Sequence, residues 1–279
     1  MTPGPPVSRL LVSLGNEARK GLLMAWSERL QVLVELPFYA LLILLLGPLL
    51  SAGHEIAGGQ VTWSLHSGRT SLLVLALVPA MVLYFQAVKL FWRLLGEIQS
   101  GTFEQVCLSP LPAWLIAAGG RVVAALIETL IVVSATYGIV SAFVPLHYTW
   151  SAAALLPAAL LIVTGIGYSL IIGGLTLIWK RIQLLQEGLL LLVVIFAVSA
   201  LPAFTVPGWF AGLGRVFPVT SAVASLYGVM IGHHPVTGLW GTGGLIWVLV
   251  TTVGYLTAGI LAFRVGERIA RVRGTLGRY

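Results

Sequence analysis

The sequence predicts an all-α polytopic membrane protein of six transmembrane helices, and three observations predict it. Only 9% of the 279 residues are charged while 58% are hydrophobic. An ordinary water-facing domain carries about 25% charged residues, so the bilayer is the solvent for most of this chain. The apolar residues gather into six runs of spanning length, near 31–52, 70–92, 114–144, 152–179, 188–206 and 240–263. The basic residues collect beside alternate ends of those runs, the asymmetry that fixes orientation in membranes.

Taken in order, residues 8–30 read as an amphipathic surface helix. Leu11, Leu14, Ala18, Leu22 and Ala25 recur at helical spacing, and Trp26 suits a headgroup-level anchor. This cytoplasmic N-terminal segment, 1–30, leads into the membrane domain, 31–263. Prolines 37, 48, 79 and 157 interrupt several spans, where neighbouring helices can re-satisfy the freed backbone groups. A basic tail, 264–279, closes the chain. No cleavable signal peptide is expected, because some thirty residues of mixed charge precede the first apolar run.

Orientation follows from lysine and arginine. Arg9, Arg19, Lys20 and Arg29 precede span one. Lys89, Arg93 and Arg121 flank the 2–3 connection, Lys180 and Arg181 the 4–5 connection, and Arg264, Arg268, Arg271, Arg273 and Arg278 follow span six. That accounts for all but Arg69 and Arg215 of the sixteen, so both termini are expected to be cytoplasmic. The five histidines fall at the opposite ends, and tryptophans cluster near span ends, as an aromatic belt requires. The net charge of +7 is thereby explained by topology, without nucleic-acid binding.

Two connections carry more information than the spans. The 2–3 connection, about 96–109, reads Gly-Glu-Ile-Gln-Ser-Gly-Thr-Phe-Glu-Gln-Val-Cys-Leu-Ser. Gly101 breaks one helix, Thr102 with Gln105 matches a capping box, Glu104 favours the first turn, and Ser109-Pro110 stops it. A short helix is expected there, with Phe103, Val106 and Cys107 as its apolar side. It reads either as a plain surface helix or as a lever for another protein. The 5–6 connection, 207–239, is long and apolar, and its segments are too short to span. They are expected to be outer re-entrant or interfacial helices over about 207–232, divided at Pro218. The alternative, a seventh span near 216–232, would violate the charge asymmetry.

Within the spans, Glu128 is the deepest charge and Arg121 lies seven residues before it on nearly the same face, roughly 10 Å away along the axis. Arg121 is expected to snorkel to the interface, and Glu128 to face the bundle interior, paired or protonated. The two form a possible intramembrane polar site, for structure or for transport. Gly165, Gly167, Ser169, Gly173 and Gly174 in span four permit close helix packing, with a dimer interface as one use. Cys107, the single cysteine, reads as a small buried apolar residue.

An intramembrane enzyme is disfavoured. The chain has no aspartate and no H-E-x-x-H motif, and Gly167-Tyr168-Ser169, a loose echo of a serine-hydrolase motif, has no histidine in any span to serve it. No catalytic, cofactor-binding or metal-binding residue is assigned. An ion-coupled secondary transporter or channel built on Glu128 is the second reading.

At the two informative connections the sequence resembles the ABC transporter type-2 permease family. The resemblance rests on Gly96-Glu97, Gly101-Thr102-Phe103-Glu104-Gln105 and Leu108-Ser109-Pro110-Leu111, and more weakly on Phe217-Pro218-Val219-Thr220 and Leu226-Tyr227-Gly228-Val229-Met230-Ile231-Gly232. In layout it covers nearly the whole chain. It implies a permease subunit of an exporter in the cytoplasmic (inner) membrane, paired with a second permease copy or homologue, surrounded by lipid and served by a separate ATP-binding subunit. Glu97, Gly101, Thr102, Phe103, Glu104 and Gln105 would then couple the spans to that ATPase. No P-loop occurs in this chain, so ATP and magnesium would bind to the partner. The apolar walls point to an amphiphilic substrate such as a drug, an antibiotic or a lipid-like molecule. The 2–3 connection carries fewer arginines than family members often do, which bears on the detailed ATPase contacts.

Overall fold

Proline at a first helical position, long apolar runs and glycines at the breaks dictate a chain of helices, and helices are what form. The computed structural model describes residues 6–27, 40–41, 44–45, 68–108, 112–179, 183–202, 207–241 and 244–274, and no strand occurs among them. The expected first span, 31–52, lies almost wholly outside the described residues, as do Glu35, Ser109-Pro110 and the last five residues.

Helix α1, Pro6–Ser27, opens on a proline whose missing N–H costs nothing there. Helix α2, Gly68–Gln99, is one continuous rod. It runs past the expected end of its span, through Pro79, which does not interrupt it as expected, and through Gly96, and stops only at the left-handed turn at Gly101. The short α3 is Thr102–Cys107. Helix α4, Ala113–Phe143, contains a π-helical stretch at Ala117–Val122. Helix α5 is Leu155–Ile178, entered through a single 3-10 turn at Ala152–Ala154 in which the Ser151 hydroxyl accepts from the Ala153 N–H. Helix α6 is Gln183–Ser199. Two short helices follow, α7 at Gly208–Val216 and α8 at Thr220–Met230, bent by 96° about the Pro218 region. The chain ends with α9, Val236–Gly241, and α10, Gly244–Val272. The first part of the expected basic tail is the last turns of α10, which end at Val272 before a turn at Arg273 and Gly274, where φ is +61°.

Four of these helices, α2, α4, α5 and α10, are long and apolar enough to cross a bilayer, or five spans result if the bent α7–α8 pair counts as one. The protein is therefore an all-helical membrane protein. Residues that touch fix the relative directions. Gly165 faces Gln86 and Gly173 faces Leu94, so α2 and α5 run parallel. Glu97 pairs with Arg121 and Arg93 with Glu128, so α2 and α4 run antiparallel.

The α5–α10 contact brings two backbones together. A Cβ on Gly259 would sit 2.2 Å from the Gly167 carbonyl oxygen, and one on Gly266 would sit 2.3 Å from that of Gly174. Only glycine permits this approach, and a Thr164–Thr252 hydroxyl pair at 2.7 Å adds to it. The span-four glycines are thus spent inside the chain: Gly167 and Gly174 on α10, Gly165 on α2, and Gly173 on Leu94 and Phe263. The expected use of this stripe between copies does not apply.

Candidate functional site

The structure concentrates charge where α1, α2 and α4 meet. On α2, Lys89, Arg93 and Glu97 are spaced four apart and share one face. On α4, Arg121 and Glu128 are two turns apart and share another. Antiparallel packing turns the two faces into a ladder. Glu128 accepts from Lys89 Nζ through Oε1 and from Arg93 Nη2 through Oε2 at 2.7 Å. Arg93 Nη1 also donates to the Arg121 carbonyl, at 3.3 Å. Arg121 grips Glu97 with two nitrogens, Nε to Oε1 at 3.1 Å and Nη2 to Oε2. From α1, half-exposed Lys20 approaches the same Glu97 carboxylate at 3.6 Å.

All five ladder residues on α2 and α4 are buried, Arg121 being only 3% exposed. An unpaired charge in such a place is expensive, and each carboxylate here meets two cations. Arg121 and Glu128 do share a face, as their spacing requires. They do not pair with each other, because each finds an opposite charge on α2. Nor does Arg121 snorkel: Glu97 offers a closer and better-aligned partner than the interface. Helix α1 clamps over this region, since a Cβ on Gly21 would meet Ala124 Cβ at 2.4 Å and one on Gly120 would meet Glu17 Cβ at 2.3 Å.

Helix α3 hangs from this ladder. Gly101, at φ +73°, makes the sharp turn between α2 and α3, a conformation in which a side chain would be strained. It occupies the N-cap position itself. Thr102 is consequently the first helical residue and does not cap the helix. Its hydroxyl donates instead to the Glu97 carbonyl, at 3.4 Å, and contacts Ser100 Oγ. Phe103 is wholly buried, with its ring 5.6 Å below the Arg121 guanidinium. Phe103 and Cys107 join Leu90, Leu94, Ile98, Val122 and Phe263 in one apolar cluster. The Cys107 carbonyl accepts from Arg271 Nη2 of α10 at 2.9 Å. Burial, and then the nearby Glu267 carboxylate, push the Cys107 thiol above its ordinary range. The other side of α3 faces out: Glu104 and Gln105 are exposed, and Leu108 is 85% exposed.

Sequence reasoning singled out Glu97, Gly101–Gln105, Arg121 and Glu128, and the structure brings them into one continuous assembly. It missed Lys20, Lys89 and Arg93, which read as topological flanks. The four-residue spacing of Lys89, Arg93 and Glu97 opposite a seven-residue Arg–Glu pair is the signal that could have found them. At the opposite end, His233 lies 3.0 Å from Thr149 Oγ1 through Nδ1, a loop contact. No family model matches the chain, and no curated protein matches it.

Proposed function

We propose that this chain is the permease subunit of an ATP-driven ABC exporter that moves an amphiphilic molecule across the cytoplasmic membrane. It has six spans and two cytoplasmic termini, and it works with a second permease copy and a separate ATP-binding subunit. The observation that supports this best is the build of α3. A helix of six residues has one side anchored in the core through Phe103 and Cys107 and the other side, Glu104, Gln105 and Leu108, exposed. Among the described residues nothing uses that outer side, yet the anchored side rests on the buried ladder. A partner pressing on α3 would therefore move α2 and α4 together.

Other elements take consistent roles in this reading. Helix α1, with Leu22, Leu23 and Trp26 exposed, lies at the membrane surface with these side chains among the headgroups. The bent α7–α8 pair is an outer re-entrant element that closes the far end of the pathway. ATP and magnesium act on the partner, and lipid surrounds the spans.

The test is a mild-detergent pull-down of the tagged chain from its native membranes, assayed for ATP hydrolysis. The expected result is a co-purifying soluble ATPase that is lost in Glu104→Arg while the melting behaviour of the chain is unchanged. Wild-type transport by Glu104→Arg would remove α3 from the coupling role. A chain that purifies alone and without ATPase activity would favour the ion-coupled carrier, with Glu128 as its first residue to test.

A further inference from the structure

Gln86 is the most anomalous polar residue in the bundle. It is completely buried on α2, and neither its carboxamide oxygen nor its nitrogen has a hydrogen-bond partner among the described residues. Buried hydroxyls without partners, such as Ser169 Oγ on α5, can turn back onto a carbonyl of their own helix. A glutamine carboxamide projecting across a helix contact has no such recourse, and hydrocarbon supplies no water to substitute. The carboxamide is accommodated only because its neighbour is Gly165, where a Cβ would lie 1.9 Å from Oε1.

The position of this stranded group is informative. On one side of it, α1, α2, α3 and α4 are tied by the ion ladder and by the seat of Phe103 under Arg121. On the other, α5 and α10 are locked by the backbone contacts at Gly167–Gly259 and Gly174–Gly266. The α2–α5 seam between these units is lined on the α5 side by Gly165, Ser169 and Gly173, a row of small residues at four-residue spacing. Gly165 faces Gln86 and Gly173 faces Leu94, so Ser169 stands one turn beyond Gln86 toward the α3 end.

We propose that the α2–α5 seam is the plane on which the protein changes conformation, with Gln86, stranded in the state seen here, bonding to Ser169 after α2 slides one helical turn toward α3. The displacement is about 5.4 Å, one turn of α-helix, and ratchets of this size are an established mode of switching between packed elements. Along the Gln86 track α5 presents only Gly165, Ser169 and Gly173, while Leu161, Tyr168 and Ile172 beside that track, now clustered with Leu83, Ala87 and Phe91 of α2, repack as α2 moves. The slide carries the ladder along intact, because both carboxylates and their cations belong to the moving unit. It also releases the Arg271 bond to the Cys107 carbonyl, where α3 meets α10.

The test uses the full chain in lipid nanodiscs, in a Cys107→Ala background that keeps the accepting carbonyl. The pair Leu94→Cys with Gly173→Cys reports the present register, and Leu90→Cys with Gly173→Cys reports the shifted one. Both pairs are expected to form disulfides on oxidation. Gln86→Leu is expected to slow the shifted pair at least tenfold, to leave the present pair unchanged, and to melt no lower than its parent. Ser169→Ala should slow the shifted pair in the same way. Failure of the shifted pair to form beside a forming present pair overturns the slide. Equal rates with and without Gln86→Leu overturn the role of Gln86, as does a melting point several degrees below the parent. Because cross-linking needs neither ATPase nor substrate, this result and that of the pull-down fail separately.

Discussion

Glu128→Gln tests the ladder most directly. The substitution keeps the shape of the side chain and removes its charge, leaving Lys89 and Arg93, each under a tenth exposed, facing a neutral amide. Removing one partner of a buried ion pair costs about 3–5 kcal/mol, because the remaining charge stays buried without compensation. That is roughly two to four powers of ten in the folded-to-unfolded ratio. Lys89→Met should cost less, since Arg93 still holds Glu128 Oε2 at 2.7 Å. Adding Lys89→Met to Glu128→Gln removes one of the two cations that have lost the Glu128 charge, so the double variant should be more stable than the sum of the singles, by about 0.5–3 kcal/mol of coupling. Equilibrium unfolding in mixed detergent–SDS micelles, followed by circular dichroism, measures all three variants against wild type. A Glu128→Gln protein as stable as wild type would show that these charges are reached by water and that the ladder contributes nothing to holding α2 on α4.

The remaining predictions follow from contacts of different kinds. Gly259→Ala places a methyl 2.2 Å from the Gly167 carbonyl oxygen and should cost about 1–3 kcal/mol or more in the same unfolding assay, whereas Gly254→Ala, with nothing within 4 Å, should be neutral or gain up to about 1 kcal/mol of helix propensity. Equal effects of the two would mean that α5 and α10 are not in backbone contact. The raised Cys107 thiol should react with maleimide more slowly in the folded than in the unfolded protein, and the folded-state rate should begin its rise at higher pH. In linkage terms the folded state holds this proton longer, so the thiol's contribution is constant below the unfolded-state pKa and stability falls as pH rises through and beyond it.

How much of this was legible in the sequence depends on whether the deciding force is local. The positions of the four long apolar helices were readable because a bilayer demands a length of apolar residues whatever the neighbours are. The limits of α3 were nearly readable because Gly101 is local punctuation, although the cap fell to the glycine and not to Thr102. The partners of Arg121 and Glu128 were not readable, because they depend on the antiparallel register of α2 against α4. Lys89 and Arg93 beside a helix end look the same in a sequence whether they face water or a carboxylate. The span-four glycines announced close packing but not with what, since Gly167 and Gly174 choose α10 only after the chain has folded. Nor could the π-helical stretch at Ala117–Val122 be foreseen, although it includes the Arg121 carbonyl that takes a hydrogen bond from Arg93.

In the proposed exporter the value of the ladder would lie in stiffness, and α3 shows why that would matter. A force applied to Glu104, Gln105 or Leu108 must first pass through Phe103, which is held against Arg121 and among Leu90, Leu94 and Phe263. If α2 and α4 met only through apolar side chains, that force would be dissipated in small independent shifts of each helix. With Glu97 held by Arg121 and Glu128 held by Lys89 and Arg93, a shift of α2 past α4 strands at least one buried charge. The α2–α5 seam has no such ion pair to break, since the track facing Gln86 is glycine and serine, its flanks are apolar, and Gln86 has no hydrogen-bond partner among the described residues. In the proposed mechanism, motion entering at α3 would therefore pass to α5 and α10 along this seam.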